Sequence, residues 1–542
     1  MRIVRSAEGK TLRNRGFGVL IALGVLLRLV ALSSDPYARL SWSAALVTDE
    51  GFYLHNARNV VLFGQPQLDG FQNRLIMPTL HAVQVGLFSS LPFSLVMARL
   101  FTVLCGLLTL LVFWVALRRA FNAEVAKFGV LFLAFDPVPL LYNRMALMDT
   151  PATLLMVMAF ALFVHGIQFG SKKAFCLFGL FLGFAFSVRG LFLLVVPLPF
   201  LLLWRERKIC LAMGFGFALF LIPYIALWWL PHRSELAQMN AFYFREQLLP
   251  QSLNHFGSIL ITSLLGDDRG ICSFMMRHSP ILFLGGVFGL GYWYWAGRKE
   301  TWDRATRQSI LFLGGWLVWG LFLFSVIGYA PSRYYILFYP ALCGVCALLT
   351  VRLTRVQQVW LEHPLACGVL GAFCGFHLVL AFRPLTILGY VGVGVGCVLG
   401  LLCLKPLLRG LKAKWGVVCL TVWIIIACFR LQDWLRHIEF QRNAVGTWIQ
   451  QNLPSNAVLL GDVASGVALD TRLQIVPVIP NLCNDRSPVE QFAGRPRYIV
   501  ILDGQYREKW WFQHYPALLT AQNRVAYFPR VVKYPVGIYR VP

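Results

Sequence analysis

Residues 94–119 read SLVMARLFTVLCGLLTLLVFWVALRR. Beyond Arg99 the run is apolar until the pair Arg118-Arg119, and it exceeds the roughly 18 residues that signal a membrane helix. The terminal arginine pair sets its direction, because basic residues gather on the cytoplasmic side. The stretch therefore reads as a span of about 94–117 that enters from the outer side and ends inside.

Reading outward from this span orders the rest of the chain. The N-terminus carries Arg2, Arg5, Lys10, Arg13 and Arg15 and is expected to stay cytoplasmic. A first span over 16–33 is too long for a secretory signal and lacks a small-residue cleavage site, so it is expected to be retained. Loop 34–74 then lies outside. Segment 75–91 is apolar but contains Pro78 and His81 and ends at Leu91-Pro92. As a full span it would place Arg118-Arg119 outside, so it reads as a helix on the outer surface. Downstream, 125–141, 151–169, 174–188, 190–204 and 210–230 alternate across the membrane. A large outer loop over 231–279 follows, then spans 280–296, 309–328, 335–351, 365–382, 385–404 and 416–429. That is about 13 spans, with nearly every basic cluster inside.

Composition agrees with this reading. The 542 residues are 58% hydrophobic and 13% charged, against the roughly 25% charged residues of a soluble domain. Short alternating segments of a membrane barrel are missing. The net charge of +25 sits in clusters between apolar runs, which excludes a nucleic-acid partner as its explanation. The 13 cysteines show no metal or redox spacing, and no metal or other cofactor is expected. Cys272 and Cys483 fall in segments read as external and are candidates for a disulfide. No internal repeat of the transporter kind is visible.

The tail 430–542 changes character. Trp448 to Pro454 reads as the end of a helix, and residues 457–461, 474–479 and 498–502 read as short buried strands. The fold class is thus a polytopic α-helical membrane protein, with residues 1–429 as the membrane domain. Residues 430–542 form a small α/β domain outside the membrane.

Acids are scarce, with 24 Asp plus Glu against 49 Lys plus Arg. The adjacent pair Asp49-Glu50 in the first outer loop therefore calls for a reason. A carboxylate at a lipid–water boundary can act as a base on a lipid-linked substrate, whereas the plain alternative is loop polarity. Asp136, Asp149, Asp267 and Asp268 share this outer face with Arg74, Arg99, Arg144, Arg189, Arg245, Arg269, Arg277 and Arg333. Guanidinium groups on that face suit a phosphate or pyrophosphate.

The run Thr48-Asp49-Glu50-Gly51-Phe52-Tyr53, followed by Ala57-Arg58-Asn59 and Gly64-Gln65-Pro66, resembles the first outer loop of the C-type (GT-C) glycosyltransferases. These use polyprenyl-phosphate sugars and include the protein O-mannosyltransferases and the lipid A aminoarabinose transferase. Met77-Pro78-Thr79-Leu80 resembles the family's surface helix, without its double proline. Asn143 to Asp149 resembles its second outer turn, and Ser332-Arg333-Tyr334-Tyr335 its late Arg-Tyr turn. Trp448 onward is similar to the external domain of bacterial members. The loop from Asn240 to Pro250, with His255 after it, is similar to the family's large outer loop. There Leu249-Pro250-Gln251 stands where an arginine is usual, and Arg245 is the candidate substitute. Arg189 stands where a lysine is frequent.

The resemblance implies an inverting transferase of the bacterial plasma membrane, with undecaprenyl phosphate as carrier and the C-terminal domain in the periplasm. It implies Asp49 as the base. Glu50 would orient Asp49 or bind the acceptor, and Asp149 would serve the acceptor or cap a helix. Arg74, Arg144, Arg189, Arg245, His255, Arg333 and Tyr334 are the candidate substrate- and phosphate-binding residues. The implied partners are a polyprenyl-phosphate-linked sugar, a lipid, glycan or protein acceptor, and the bilayer. A transporter or flippase for a lipid-linked substrate and a glycan ligase are the alternatives. A transporter would place its charges near the bilayer midplane, whereas these cluster at one interface.

Overall fold

The computed structural model describes residues 2–243, 257–258, 270–296, 301–327, 329–355, 415–502 and 508–542. Helix α1 (Arg2–Leu29) leads to α2 (Ala45–Phe63), α3 (Pro78–Ser90), α4 (Leu95–Ala120), α5 (Ala123–Phe135), the short α6 (Pro137–Tyr142), α7 (Asp149–Phe169) and α8 (Lys172–Val188). Local chemistry sets their ends. Ser94 caps α4 by accepting a hydrogen bond from the Met97 amide at 3.2 Å, and Arg118 and Arg119 occupy its last turn, where cations meet the negative end of the helix dipole. Asn122 caps α5, and Asp136 caps α6 through the Val138 amide. Gly64, with φ +77°, stops α2 in the left-handed conformation that glycine adopts without steric cost.

Among the described residues, five helices are long and apolar enough to cross a membrane: Leu95–Ala120, Asp149–Phe169, Arg207–Trp229, Arg304–Val326 and Ser332–Leu353. A sixth is possible if the pair Ile271–His278 and Pro280–Tyr294, bent by 118°, counts as one. Spans expected at 365–382 and 385–404 lie outside the described residues. Helix α3 has 13 residues, about 20 Å at 1.5 Å per residue, too short for a hydrocarbon core of about 30 Å.

One expectation is corrected. Asp49-Glu50 does not sit in a loop; both residues lie within helix α2. Fourteen of the nineteen residues of α2 are buried, among them the polar Asp49, Glu50, His55, Asn56, Arg58 and Asn59. A helix that buries polar side chains on several faces carries no amphipathic stripe to recognise.

The C-terminal residues build a five-stranded sheet in the order β2-β1-β3-β5-β4, from β1 (Val458–Leu460), β2 (Gln474–Val476), β3 (Arg497–Leu502), β4 (Arg524–Val531) and β5 (Tyr534–Val541). The first three strands are parallel, with Leu459 opposite both Ile475 and Tyr498, and β3–β5–β4 continue antiparallel.

This region is joined to α2 over a wide front. Arg58 donates to the carbonyls of Leu469, Thr471 and Leu473 at 2.9, 2.7 and 2.8 Å. Asp35 caps helix Gln441–Asn452 by accepting from the Gln441 and Arg442 amides. Helix Asp462–Val467 lies backbone to backbone on α2. A Cβ at Gly51 would stand 2.2 Å from the Ser465 carbonyl oxygen, and one at Gly466 would stand 1.9 Å from that of Val47. Cys272 and Cys483 are both free thiols and do not pair.

Candidate active site

A cavity of about 740 Å³ opens beside α2. The 3.6-residue period places Ala45, Thr48, Asp49, Phe52 and Tyr53 on its wall, while Glu50 points into the protein. A second wall comes from the end of α8 and the turn after it, with Arg189 and Leu191, and from Tyr224 and Trp229. The 3-10 turn Ser332–Phe338 contributes Arg333 and Tyr334. Tyr224, Trp229 and Leu193 lie on or beside helices whose outer surfaces are apolar and exposed, such as Leu227 at 76% and Ile222 at 66%. The cavity is thus lined by apolar and aromatic side chains as well as by ionic ones.

Two buried ion pairs supply the charges. Arg333 Nη1 stands 2.7 Å from Asp49 Oδ2, and Arg189 Nε stands 3.3 Å from Asp149 Oδ1. Tyr334 lies between the two cations, with the Arg189 and Arg333 guanidinium carbons 4.0 and 4.9 Å from its ring centre. The pairing is incomplete. Both Asp149 oxygens and the Nε atoms of Arg189 and Arg333 are buried without a hydrogen-bond partner. Native proteins seldom leave such groups unmatched, and here they give the site spare capacity for a polar ligand. Tyr53, one turn beyond Asp49, faces the same charges. Burial pushes its phenol well above the usual value, against the pull of Arg333.

Glu50 has a different environment. Its oxygens accept from Arg99 Nε at 2.7 Å, Arg99 Nη2 at 2.6 Å, Arg442 Nη1 at 2.5 Å and the Ala146 amide at 2.7 Å. Burial opposes its ionisation, but the Arg99 and Arg442 guanidiniums outweigh burial and hold the carboxyl down at about 2. With its acceptor sites filled and no access to the cavity, Glu50 has no catalytic geometry. It is a clamp between α2, α4 and the C-terminal region.

The remaining candidates separate in the same way. Arg144 donates to the Val30 and Ala31 carbonyls and stacks 4.4 Å from the Trp434 ring centre, away from the cavity. Arg74 lies between the lining residues Asn73 and Leu75, but its side chain bonds Gln72 and covers Trp228 at 5.8 Å. Asp149 is not a helix cap; it is the first residue of α7 and its carboxylate faces Arg189. Arg245, His255, Asp267, Asp268 and Arg269 lie outside the described residues. The structure thus brings together Asp49, Asp149, Arg189, Arg333 and Tyr334. It adds Tyr53, which helical spacing from Asp49 would have found, and Asp462, whose setting after Gly461 reads in sequence as an ordinary turn. Among the described residues no group of three His, Cys, Asp or Glu side chains is placed to hold a metal ion.

Comparison with known proteins points the same way. Residues 78–229 match the family model described as dolichyl-phosphate-mannose-protein mannosyltransferase. No curated protein matches the chain. The structure is similar to ArnT from Cupriavidus metallidurans bound to undecaprenyl phosphate, with a TM-score of 0.58 at 18% identity over 96% of this chain and 97% of that one. The apo state of the same protein gives 0.57 at 19% identity, covering 98% of each chain. The apo oligosaccharyltransferase of Archaeoglobus fulgidus gives 0.50 at 11% identity, over 90% of this chain and 69% of that one. The chain thus resembles, in its matched segment and in its fold, the C-type glycosyltransferases that its Asp49-Glu50 stretch had suggested.

Proposed function

We propose that the protein is an inverting glycosyltransferase that moves a sugar from a polyprenyl-phosphate donor to a hydroxyl or phosphate acceptor. The observation that carries this reading is the Asp49–Arg333 pair at 2.7 Å in a cavity lined largely by apolar and aromatic side chains. A lipid phosphate needs an apolar channel for its chain and guanidiniums for its head, and a base must stand beside them. The likeness to ArnT, solved with undecaprenyl phosphate, supports that donor class.

In this mechanism the donor phosphate draws on Arg333 and Arg189. Competition for Arg333 loosens its hold on Asp49 and raises the basicity of that carboxylate. An Asp49 oxygen takes the acceptor proton as the acceptor oxygen bonds to the anomeric carbon. The bond from that carbon to the phosphate oxygen breaks on the opposite face. The electron pair leaves with the lipid phosphate, where the two guanidiniums receive the charge. One displacement inverts the anomeric centre. Because two arginines supply the positive charge, the reaction asks for no divalent ion. The protein would sit in a bacterial plasma membrane, with this site and the C-terminal sheet on the periplasmic side and the N-terminus inside.

The test is transfer by purified protein in nanodiscs from a panel of radiolabelled polyprenyl-phosphate sugars, with membrane extract as the acceptor source. Asp49→Asn is expected to lower transfer by a factor on the order of 10²–10⁴, the range for loss of a general base. Equal transfer by both proteins would remove Asp49 as the base.

A further inference from the structure

The C-terminal region does more than cover the site. Asp462, Ile479, Leu482 and Leu502 all line the cavity. Of these four side chains only Asp462 can hydrogen-bond, and it is 7% exposed. Its position relative to Asp49 is fixed by close backbone contact. Asp462 begins the helix whose Ser465 and Gly466 lie against Gly51 and Val47, with no room for a Cβ at either glycine. Arg442 and Arg58 tie the same region to α2 on either side of this seam.

We propose that Asp462 is a substrate-contacting, specificity-determining residue that accepts hydrogen bonds from saccharide hydroxyls in the cavity. This rests on the transferase reading above. The chemistry follows from the group itself. A carboxylate is an acceptor with two oxygens and about four lone-pair directions, suited to neighbouring hydroxyls. It disfavours a second phosphate beside it, so Asp462 does not hold the lipid phosphate; that falls to Arg189 and Arg333 on another wall. A site built to bond a hydroxyl discriminates strongly against ligands that lack it, which makes this position a selector of sugar.

Saccharide hydroxyls reach the cavity from two sources, the donor sugar and a glycan acceptor, and the experiment separates them. Wild type, Asp462→Asn and Asp462→Ala are compared in nanodiscs for transfer, for binding of sugar-charged donor and of bare undecaprenyl phosphate, and for melting temperature. The expected result is a fall in kcat/KM of about tenfold or more, the loss of one charge-assisted hydrogen bond, with bare-lipid binding and melting unchanged. Weaker binding of charged donor assigns the contact to the donor sugar; a raised KM for acceptor alone assigns it to the acceptor. Wild-type kcat/KM in both variants overturns the proposal, as does parallel loss of charged-donor and bare-lipid binding. If Ala unfolds the protein, the near-isosteric Asn variant decides. A wild type that transfers from no donor overturns the transferase reading and this assignment with it. A wild type that transfers while both variants equal it overturns this assignment alone.

Discussion

Asp49 and Glu50 are neighbours on helix α2, and their surroundings differ in kind. Glu50 is fully buried, takes four hydrogen bonds from three directions and is shared by α4 and the C-terminal region. Asp49 lines a cavity and is paired with an arginine that keeps an unmatched Nε. The same residue chemistry serves structure when every acceptor direction is filled from the protein. It is open to a ligand when a cation and a carboxylate are held together beside a cavity with capacity left over. Adjacent carboxylates in a sequence therefore say little about shared roles, because one step along a helix turns a side chain by about 100°.

Substitutions at and around the two carboxylates put this contrast to the test. The largest effect on transfer is expected from Asp49→Asn, which lowers it by the factor given above in protein that still folds. Glu50→Gln is expected to do the converse. It leaves Arg99 and Arg442 buried without the carboxylate they share, at a cost of about 3–5 kcal/mol, seen as a lower melting temperature and poor yield. Loss of transfer by well-folded Glu50→Gln protein would overturn the division of roles.

Smaller effects concern the charges around each carboxylate. Arg333→Lys keeps the charge but loses the planar fork, so donor KM is expected to rise roughly tenfold with little change in stability. An unchanged KM would place the donor phosphate elsewhere. Glu50 is also expected to mark the acid limit of the fold. Its carboxyl is held at about 2 against a usual 4.5, so its contribution is full above pH 4.5 and is lost as pH falls through about 2. Acid melting curves of wild type and Glu50→Gln should therefore converge over that window. The least effect is expected from chelation: EDTA should leave transfer unchanged, and a rate restored only by added divalent cation would refute the arginine-based account.

Much of this was legible in sequence, for definite reasons. The spans at Leu95–Ala120 and Arg304–Val326 are long, apolar and flanked by charge, and strands 458–460, 474–476 and 497–502 are short apolar runs between turn residues. Hairpin β4–β5 was missed because Arg524, Pro529 and Arg530 interrupt β4, an edge strand with several exposed positions. Of the residues around the cavity, Asp49, Asp149, Arg189 and Arg333 stand among the outer-face charges that the sequence singles out, and Tyr334 enters through the resemblance, but isolated charges at separate span ends carry no pattern that groups them. Arg144 has the same sequence setting as Arg333, and only the fold shows that its donors go to carbonyls of the α1 end. Asp462 lay beyond reach because its role depends on contact between residues far apart in the chain.

That separation has a consequence for how the protein is made. The bond from Arg58 to Thr471 joins residues 413 positions apart, and Gly51 meets its partner Ser465 over a similar distance. At about 5–20 residues per second, ribosomes need roughly 20–80 s to cover that interval. Throughout it, the helix bearing Asp49 emerges without the backbone surface that its glycine was left bare to receive. The wall of the cavity that bears Asp49 is therefore among the last parts of the molecule to mature, and a chain cut short before residue 465 lacks the packing that holds Asp49 in place.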